Sequence, residues 1–420
     1  MTHPRLFAIA WRAALILLPW QTRLILSTPQ LNGFPWEQGT VAMYVSWIPL
    51  VLTIVLSWSD LKAHAARVSL RAIVVMPIVA LALTSLFTAS WTATLLWWVH
   101  VLMLGLFAAS LVVHRIPSIK IIAWFIYALI PHVALGLWQF ASQHVFGSTL
   151  LGMAEQISSN SGVSVVEYGE YRTLRAYGGF PHPNVFGGWL AVALVLLPPL
   201  IRDARSTLIK FSWITCGALF AYTLILTFSR GAWIAAAIGL PLAFVVSFRH
   251  AVDHKQREAV ISAIVLFLAA LGIGLFTQWD AVSSRFIATE RLEQWSLSQR
   301  TSAIADGFVA WKSHPIVGWG SGASLIGIAV ARTAPSPVPL EPPHLVPFVI
   351  LLETGIVGLL AMLGLGWFVL RTLIREQRLM NASPLLIAIA CLALTDHYLW
   401  TLWVGSGLLC VVGMLTFQKR

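Results

Sequence analysis

Apolar runs of about 18 or more residues recur along this chain, and each is long enough to cross roughly 30 Å of hydrocarbon. Because lipid offers no water to an open backbone, such segments must satisfy their own hydrogen bonds as helices. The composition agrees, since 58% of the 420 residues are hydrophobic and only 10% are charged, whereas soluble domains carry about a quarter charged residues. The sequence therefore predicts an all-α, polytopic membrane protein.

The hydrophobic pattern predicts twelve spans in a single transmembrane domain over residues 1–420. The first span has a basic start but no small-residue cleavage site, so we interpret it as an anchor and not as a removed signal peptide. The predicted spans are 6–26, 40–59, 72–88, 91–113, 121–146, 182–201, 211–228, 231–248, 259–277, 346–370, 385–400 and 402–417.

Lys and Arg residues orient the predicted helices, because cytoplasmic connections carry the excess of basic residues. With both termini cytoplasmic, the inner segments hold most of the 27 Lys and Arg residues. The net charge of +11 is then mainly a topology signal, and no nucleic-acid partner is predicted. Arg12 and Arg23 fall in the first span, where we interpret them as lipid-contacting side chains. The inner segments are 1–5, 60–71, 114–120, 202–210, 249–258, 371–384 and 418–420.

Two long loops, 147–181 and 278–345, fall on the opposite, outer face. Connections of this length are uncommon in compact proteins and are often functional, so we expect them to cap an active site. The three cysteines all fall inside predicted spans, which leaves the loops without a disulfide.

Within the second loop, residues 291–322 predict an amphipathic helix that Pro315 ends. Arg300, Ile304, Phe308 and Trp311 recur at helical spacing and share one face, which we expect to point toward the bundle. Glu293 lies off this face and is expected to be solvated. The following "GWGSG" permits a tight turn, but no strand precedes it as in a dinucleotide fingerprint.

Arg230 lies in "TFSRGAWIA", where two spans meet with almost no loop. Ser229 at the N-cap would put Arg230 in the first turn of the next helix, a position that is unfavourable for a cation. A bound anion would offset this cost and use the free backbone N–H groups. A neighbouring loop carboxylate or lipid headgroups would do so equally well, and the residue alone leaves both interpretations open.

His182 lies in "LRAYGGFPHPNVFGG", seven residues after Arg175. The proline after it can serve as the first residue of a helix. His182 is therefore a second candidate site residue, although an interfacial histidine bonded to a backbone carbonyl is the simpler interpretation.

His344 lies in "PSPVPLEPPHLVPF", just outside the helix that Pro347 opens. A nearby helix N-terminus favours a neutral imidazole, the form that a general base needs, and the prolines restrict its backbone. Glu353, deeper in the same helix, is expected to be a structural partner. Asp396 and His397 come near the outer end of another span and are placed to face the same cavity.

The sequence contains no HExxH motif, no closely paired histidines and no GxSxG elbow, so we predict neither a metal site nor a serine hydrolase. Its candidate residues fit a site that binds a polyanion through arginine and takes one proton through histidine. No cofactor is predicted.

Three elements together, "TFSRGAW", "HPIVGWGSG" and "PPHLVPFVILLETGIVGL", resemble the O-antigen ligase and polymerase superfamily of GT-C class glycosyltransferases. Length and layout are most similar to O-antigen ligase, which moves polysaccharide from undecaprenyl pyrophosphate to a lipid A–core sugar at the periplasmic face of the bacterial inner membrane. The resemblance implies a metal-independent, inverting transfer. It implies that His344 is the base, that Arg230, Arg300 and Arg175 bind the pyrophosphate, and that Asp396 supports them. Relatives often have Asn where this chain has Leu345.

Two enzymes of the same superfamily remain as alternatives, O-antigen polymerase and protein O-oligosaccharyltransferase. The latter often carries an extra C-terminal soluble region, whereas this chain ends three residues after its last predicted span. A solute or bicarbonate transporter is the alternative of another class. Transporters tend to place polar residues and helix breaks near the membrane midplane, whereas the candidate residues here cluster on one face.

Overall fold

A computed structural model of the chain describes residues 3–65, 72–287, 290–332 and 338–417. Pro335 and Pro337, half of the inner segment 60–71, residues 1–2 and the inner segment 418–420 lie outside these ranges. The described residues form sixteen helices: α1 Pro4–Leu17, α2 Trp47–Ala65, α3 Ala72–Ser85, α4 Trp91–Val113, α5 Ser118–Ser142, α6 Pro183–Asp203, α7 Thr207–Leu226, α8 Arg230–Arg249, α9 His254–Thr277, α10 Trp279–Ile287, α11 Arg291–Ser313, α12 Ser324–Ala331, α13 Val346–Arg375, α14 Leu379–Thr395, α15 Tyr398–Thr401 and α16 Trp403–Phe417.

Seven of the described helices are long and apolar enough to cross a membrane, namely α4 to α9 and α13. Three shorter apolar helices cover Val75–Ser85, Leu379–Thr395 and Trp403–Thr416. This confirms a polytopic helical membrane protein, while the count of twelve spans stays a prediction. The first predicted span, 6–26, is wrong in its second half. Helix α1 ends at Leu17, and Arg23 begins a strand, where its guanidinium pairs with Glu37.

Helix α6 lies at the centre of the bundle. Its entire apolar window is buried, and it packs against α5, α7, α8, α9 and α14. A helix that is hydrophobic all round requires such protein contact on every side. The N-terminal end of α6 carries His182 as its N-cap and Asn184 in its first turn, so the most completely buried of the seven long apolar helices holds two of the site residues.

Short antiparallel ribbons and helices replace the two predicted loops. Four two-stranded ribbons pair β1 with β4, β2 with β3, β5 with β6, and β7 with β8. The second loop folds into α10, α11 and α12, and both α10 and α11 pack against β7. The strands are β1 Arg23–Ser27, β2 Gln30–Leu31, β3 Phe34–Pro35, β4 Val41–Tyr44, β5 His144–Val145, β6 Gln156–Ile157, β7 Val165–Tyr168 and β8 Tyr171–Leu174.

Helix α13 breaks at Gly355, whose φ of 62° and ψ of −167° are not helical. The "GWGSG" turn inserts beside the break, where the amides of Trp319 and Gly320 donate to the carbonyls of Leu352 and Glu353 at 2.9 and 2.7 Å. Gly320 needs a φ of +100° to do so, a conformation that glycine adopts without steric cost. The predicted tight turn is confirmed, and it fixes the first segment of α13, which His344 precedes.

Candidate active site

His344 lies between two carboxylates just before α13. Its Nε2 is 3.3 Å from Glu341 Oε2, and its Nδ1 is 3.4 Å from Asp396 Oδ1. The ring packs edge-on against His397, with 5.0 Å between ring centroids. Only 16% of the His344 side chain is exposed. A carboxylate therefore lies within ion-pair distance of each ring nitrogen, and Nε2 also meets the geometry of a hydrogen bond.

The two carboxylates determine the charge of His344. Burial lowers the pKa of this imidazole, but the contacts with Asp396 and Glu341 outweigh burial and raise the pKa to about 9. The expectation of a ring kept neutral by the helix N-terminus is therefore wrong. Paired charges at hydrogen-bonding distance act more strongly than a partial dipole at the end of a helix. At neutral pH the resting ring is an imidazolium.

The two neighbouring histidines, His182 and His397, have lowered pKa values, in contrast to His344. Burial is the main cause that lowers the pKa of His182 to about 3 and that of His397 to about 4. His182 caps α6, where its Nδ1 accepts from the amide of Asn184 at 3.1 Å and its Nε2 lies 2.8 Å from Ser164 Oγ. The His182 ring therefore caps the helix and does not bond a backbone carbonyl as the simpler interpretation had it. Pro183 is the first residue of the helix, as predicted.

Asp396 connects His344 to the interior. Its Oδ2 accepts from the side-chain Nδ2 of Asn184 at 2.8 Å. Its Oδ1 accepts from the backbone N–H of His397 at 2.7 Å. Asn184 in turn accepts from Arg175 at 2.5 Å, while Arg175 Nε donates to the Thr227 carbonyl at 2.7 Å. Arg175, predicted to bind pyrophosphate, is buried behind Asn184. It reaches the site only through this chain of hydrogen bonds.

A cavity of about 290 Å³ adjoins Asp396, and three arginines line it. Arg230 and Arg300, both predicted, share this arginine cavity with Arg285. Asn184, Ser229, Thr395 and Tyr398 complete the polar lining. The structure therefore brings the predicted cations together with the carboxylate that holds His344.

Glu293 is buried and pairs with two of the arginines that line the cavity. Its Oε1 lies 2.6 Å from Arg230 Nη2, its Oε2 pairs with Arg285, and only 4% of its side chain is exposed. The expectation that Glu293 lies on a solvated face is wrong, because its carboxylate reaches Arg230 of α8 and Arg285 of α10. Arg230 therefore pairs with a carboxylate of the second predicted loop, one of the two interpretations that the sequence left open. Arg230 also lines the cavity. Ser229 occupies the N-cap, but its hydroxyl does not cap the helix.

Helix α11 presents Arg300 to the same cavity. Within the described ranges, no carboxylate forms an ion pair with Arg300. Of the predicted apolar face, Trp311 packs against a buried cluster that includes Leu325 and Leu352, but two other members do not pack as expected. Ile304 and Phe308 are each 45% exposed, while Gly307 and Ala310 are the buried residues of this turn. Small side chains allow close packing here, so the larger ones point outward.

Glu353 lies apart from the His344 cluster. Its carboxylate accepts from Ser324 Oγ at 2.8 Å and from Trp400 Nε1 at 2.7 Å. Both partners are fixed within the fold beside the break in α13, which fits the structural role expected for Glu353.

One group of ligand atoms has the composition of a metal site. Donor atoms of His344, Asp396 and His397 all lie within 4.8 Å of one another, and imidazole with carboxylate suits ions such as zinc. The sequence showed no closely paired histidines because the fold, not the spacing, assembles this group. A metal ion would compete with the proton that the raised pKa of His344 keeps on the ring. That the site works without a metal ion stays a prediction.

Four site residues escaped sequence reasoning: Asn184, Arg285, Glu293 and Glu341. Glu341 precedes His344 by three residues and Asn184 follows His182 by two, so proximity to each histidine was an available signal. Arg285 and Glu293 face each other across a helix–helix turn. Their pairing with Arg230 depends on how α10 and α11 fold back, which the local sequence does not reveal.

The comparison with protein families supports the resemblance found in the motifs. Residues 215–363 match the Wzy_C family, described as O-Antigen ligase. The match covers about a third of the chain, and it includes Arg230, Arg300 and His344. This confirms the resemblance to the O-antigen ligase and polymerase superfamily. No curated protein sequence matches the chain. Arg175, His182 and Asp396 lie outside the matched stretch.

Proposed function

We propose that this protein is an O-antigen ligase. It transfers polysaccharide from undecaprenyl pyrophosphate to a sugar hydroxyl of lipid A–core, at the periplasmic face of the bacterial inner membrane. The observation that carries the proposal is the shared wall of the arginine cavity. Arg230, Arg285 and Arg300 line it together with Asp396, and Asp396 contacts the His344 ring.

The arginine cavity suits the pyrophosphate of the donor. Guanidinium groups bind phosphate oxygens through paired, charge-assisted hydrogen bonds, and they stabilise the charge that builds up as the pyrophosphate leaves. Glu293 neutralises part of the charge of Arg230 and Arg285 and holds them in place. Arg300 has no such partner among the described residues, so it is the cation most available to the donor. Removing a donor of this kind typically costs on the order of 10²–10³ in rate.

His344 takes the proton of the acceptor hydroxyl, the usual task of a general base. Asp396 holds Nδ1 and stabilises the imidazolium, as the carboxylate does in a Ser–His–Asp arrangement. Nε2 is then the nitrogen that receives the proton. Glu341, whose side chain is 67% exposed, must move away from Nε2 to admit the acceptor. Because the resting ring is protonated, only its minor neutral form is competent.

The reaction is a single displacement. The acceptor oxygen forms a bond to the anomeric carbon while the bond from that carbon to the pyrophosphate oxygen breaks, so the anomeric configuration inverts. The acceptor proton moves to His344, and the lipid pyrophosphate departs with its negative charge held by the arginines. This scheme requires neither ATP nor metal. We expect transfer by the purified enzyme to persist in EDTA, and loss of transfer that returns with added metal would refute the metal-free scheme.

The test is genetic complementation in the host. The gene is deleted, wild type, His344→Ala or His254→Ala is reintroduced, and lipopolysaccharide is separated on a gel. His254 is exposed at the start of α9, so His254→Ala is a matched control and should restore the ladder. With His344→Ala we expect bare core and accumulated lipid-linked polymer.

Other gel patterns would assign the protein elsewhere. Core carrying a single repeat would indicate O-antigen polymerase, the nearest alternative in the superfamily. A normal ladder with His344→Ala and in the deletion strain would indicate neither enzyme and would reopen the transporter interpretation. Loss of glycan from periplasmic proteins, with an intact ladder, would indicate a protein O-oligosaccharyltransferase.

A further inference from the structure

A second cavity, of about 300 Å³, lies beside the first β-ribbon. Strands β1 and β4, residues 152–156, residues 177–181 and Leu402 all contribute to its lining. None of its lining residues belongs to the arginine cavity. Its polar lining consists of Gln21, Arg23, Glu37, Tyr44, Gln156 and Tyr177.

The charges of this second cavity cancel. Arg23 pairs with Glu37 through both terminal nitrogens, and Nη1 also donates to the Tyr44 hydroxyl at 3.1 Å. The lining thus combines one cation and one anion with two phenols and two amides. Such groups both donate and accept hydrogen bonds, which suits hydroxyl groups. In contrast, the arginine cavity carries three guanidinium groups and suits a polyanion.

The apolar lining of the second cavity also fits a sugar. Val145, Met153, Phe180 and Leu402 contribute hydrophobic surface. A pyranose ring presents C–H groups on its faces and hydroxyl groups around its edge. Pockets of this kind combine an apolar wall with a few placed polar groups.

Two short chain segments connect the two cavities, and both include contacts near His344. Pro181 lines the second cavity and Asn184 lines the arginine cavity, so the chain passes from one to the other through His182. Likewise, Asp396 lines the arginine cavity and Leu402 lines the second one. Between them His397 packs on His344 and contacts Thr401 Oγ1 at 2.7 Å.

We infer that the second cavity binds an uncharged, polyhydroxylated sugar of the acceptor, apart from the arginine cavity that suits the donor pyrophosphate. The inference rests on the proposed function. A transfer between two glycolipids requires separate places for the acceptor sugar and for the donor pyrophosphate. Two cavities of different charge, with no lining residue in common, supply them.

Ala154→Trp tests the inference by filling the cavity. Ala154 lines the cavity but is itself exposed on a loop, so a larger side chain can enter the space without disturbing the core. Transfer is measured with purified protein in vesicles, with a lipid-linked polysaccharide donor and lipid A–core acceptor. We expect the acceptor KM to rise at least about tenfold while kcat at saturation and the donor KM stay unchanged, the pattern of lost ground-state binding.

Ser159→Trp is the matched control, because Ser159 is exposed on the same loop and does not line the cavity. A second variant, Glu37→Gln, keeps the size of the side chain but leaves Arg23 with an amide in place of a carboxylate. It should raise the acceptor KM by about fivefold, again with an unchanged donor KM.

The outcomes separate this inference from the proposed function. If His344→Ala transfers polysaccharide as fast as wild type, the proposed function fails. If His344→Ala abolishes transfer but both cavity variants keep the acceptor KM of Ser159→Trp, only the acceptor cavity is refuted. A change confined to the donor KM would likewise overturn it, since the cavity would then serve the donor.

Discussion

His344 depends on its two carboxylate neighbours for its charge, and pH should therefore control the reaction. The pKa of about 9 leaves a small neutral fraction at pH 7, and this fraction grows about tenfold per pH unit below the pKa. Because the base must be neutral, we expect kcat/KM to rise with pH and to level off near pH 9. Transfer rates measured between pH 6 and 10 check this. A flat profile would show that the proton on His344 does not limit the reaction.

Glu341 raises the pKa of His344 and is exposed, so it offers a variant that tests the cause. We expect Glu341→Gln to lower the pKa of the ring and to move the rising limb of the profile to lower pH, which would increase transfer at neutral pH. Glu258→Gln, exposed on α9, is the matched control and should leave the profile in place. If the rising limb of the Glu341→Gln profile stays at the wild-type pH, Asp396 alone raises the pKa of His344.

Arg285 is a donor-binding residue in this account, although no motif marks it. We expect Arg285→Gln to lower transfer by on the order of 10²–10³, because a cation at the departing pyrophosphate is lost. Donor binding and the rate of transfer in vesicles provide the measurement. Arg291, largely exposed and paired with Glu167, supplies the control Arg291→Gln, which should behave like wild type. An unchanged rate with Arg285→Gln would confine Arg285 to packing.

Single residues were predicted to different extents for a physical reason. Arg230, Arg300 and His344 are found from local sequence because each lies at a helix end or on a helix face with a recognisable pattern. Of their partners, Asp396 was expected to face the same cavity, whereas Glu293 was expected to be solvated, because it meets Arg230 and Arg285 only after distant elements pack. The charge of His344 depends on its contacts with Asp396 and Glu341, which form only in the folded protein, so the sequence could not predict this charge.

Among the elements, α13 and the "GWGSG" turn determine where His344 is held. Gly355 has a φ of 62°, and a Cβ there would overlap the backbone of Ile316. We expect Gly355→Ala to destabilise the purified protein by about 1–3 kcal/mol, as a strained backbone position does. Thermal denaturation in detergent measures this as a lower Tm.

Gly364 in the same helix is the matched control, since a Cβ there meets nothing within 4 Å. Alanine is the better helix former by about 1 kcal/mol, so Gly364→Ala should leave the Tm unchanged or raise it. Equal Tm values for the two variants would show that the break at Gly355 can be absorbed.

Long helices were predicted more reliably than the connections at the site. Apolar runs locate α4 to α9 and α13 to within a few residues, because lipid requires a continuous apolar helix. The amphipathic helix over α11 was also predicted. The ribbons between β1 and β8 were not, since strands of two to five residues leave too short a pattern. Helix α1 appeared too long because the apolar residues of β1 continue its hydrophobic run.

In the molecule as a whole, the start of helix α6 positions several residues of the site. Its first residue follows His182, and Asn184 in its first turn joins Arg175 to Asp396. The polar residues of the site gather at one end of the bundle and not in two matching halves. This arrangement fits chemistry at the surface of a membrane, where two lipid-linked substrates must meet, and not passage of a solute through the midplane.

Transfer by the purified protein tests the central claim most directly. Wild type, His344→Ala and His254→Ala are placed in vesicles with undecaprenyl-pyrophosphate-linked polysaccharide and lipid A–core, and polysaccharide joined to core is measured over time. We predict equal rates for wild type and His254→Ala, and a rate lower by about 10²–10⁴ for His344→Ala. Transfer by His344→Ala at the wild-type rate would contradict the account.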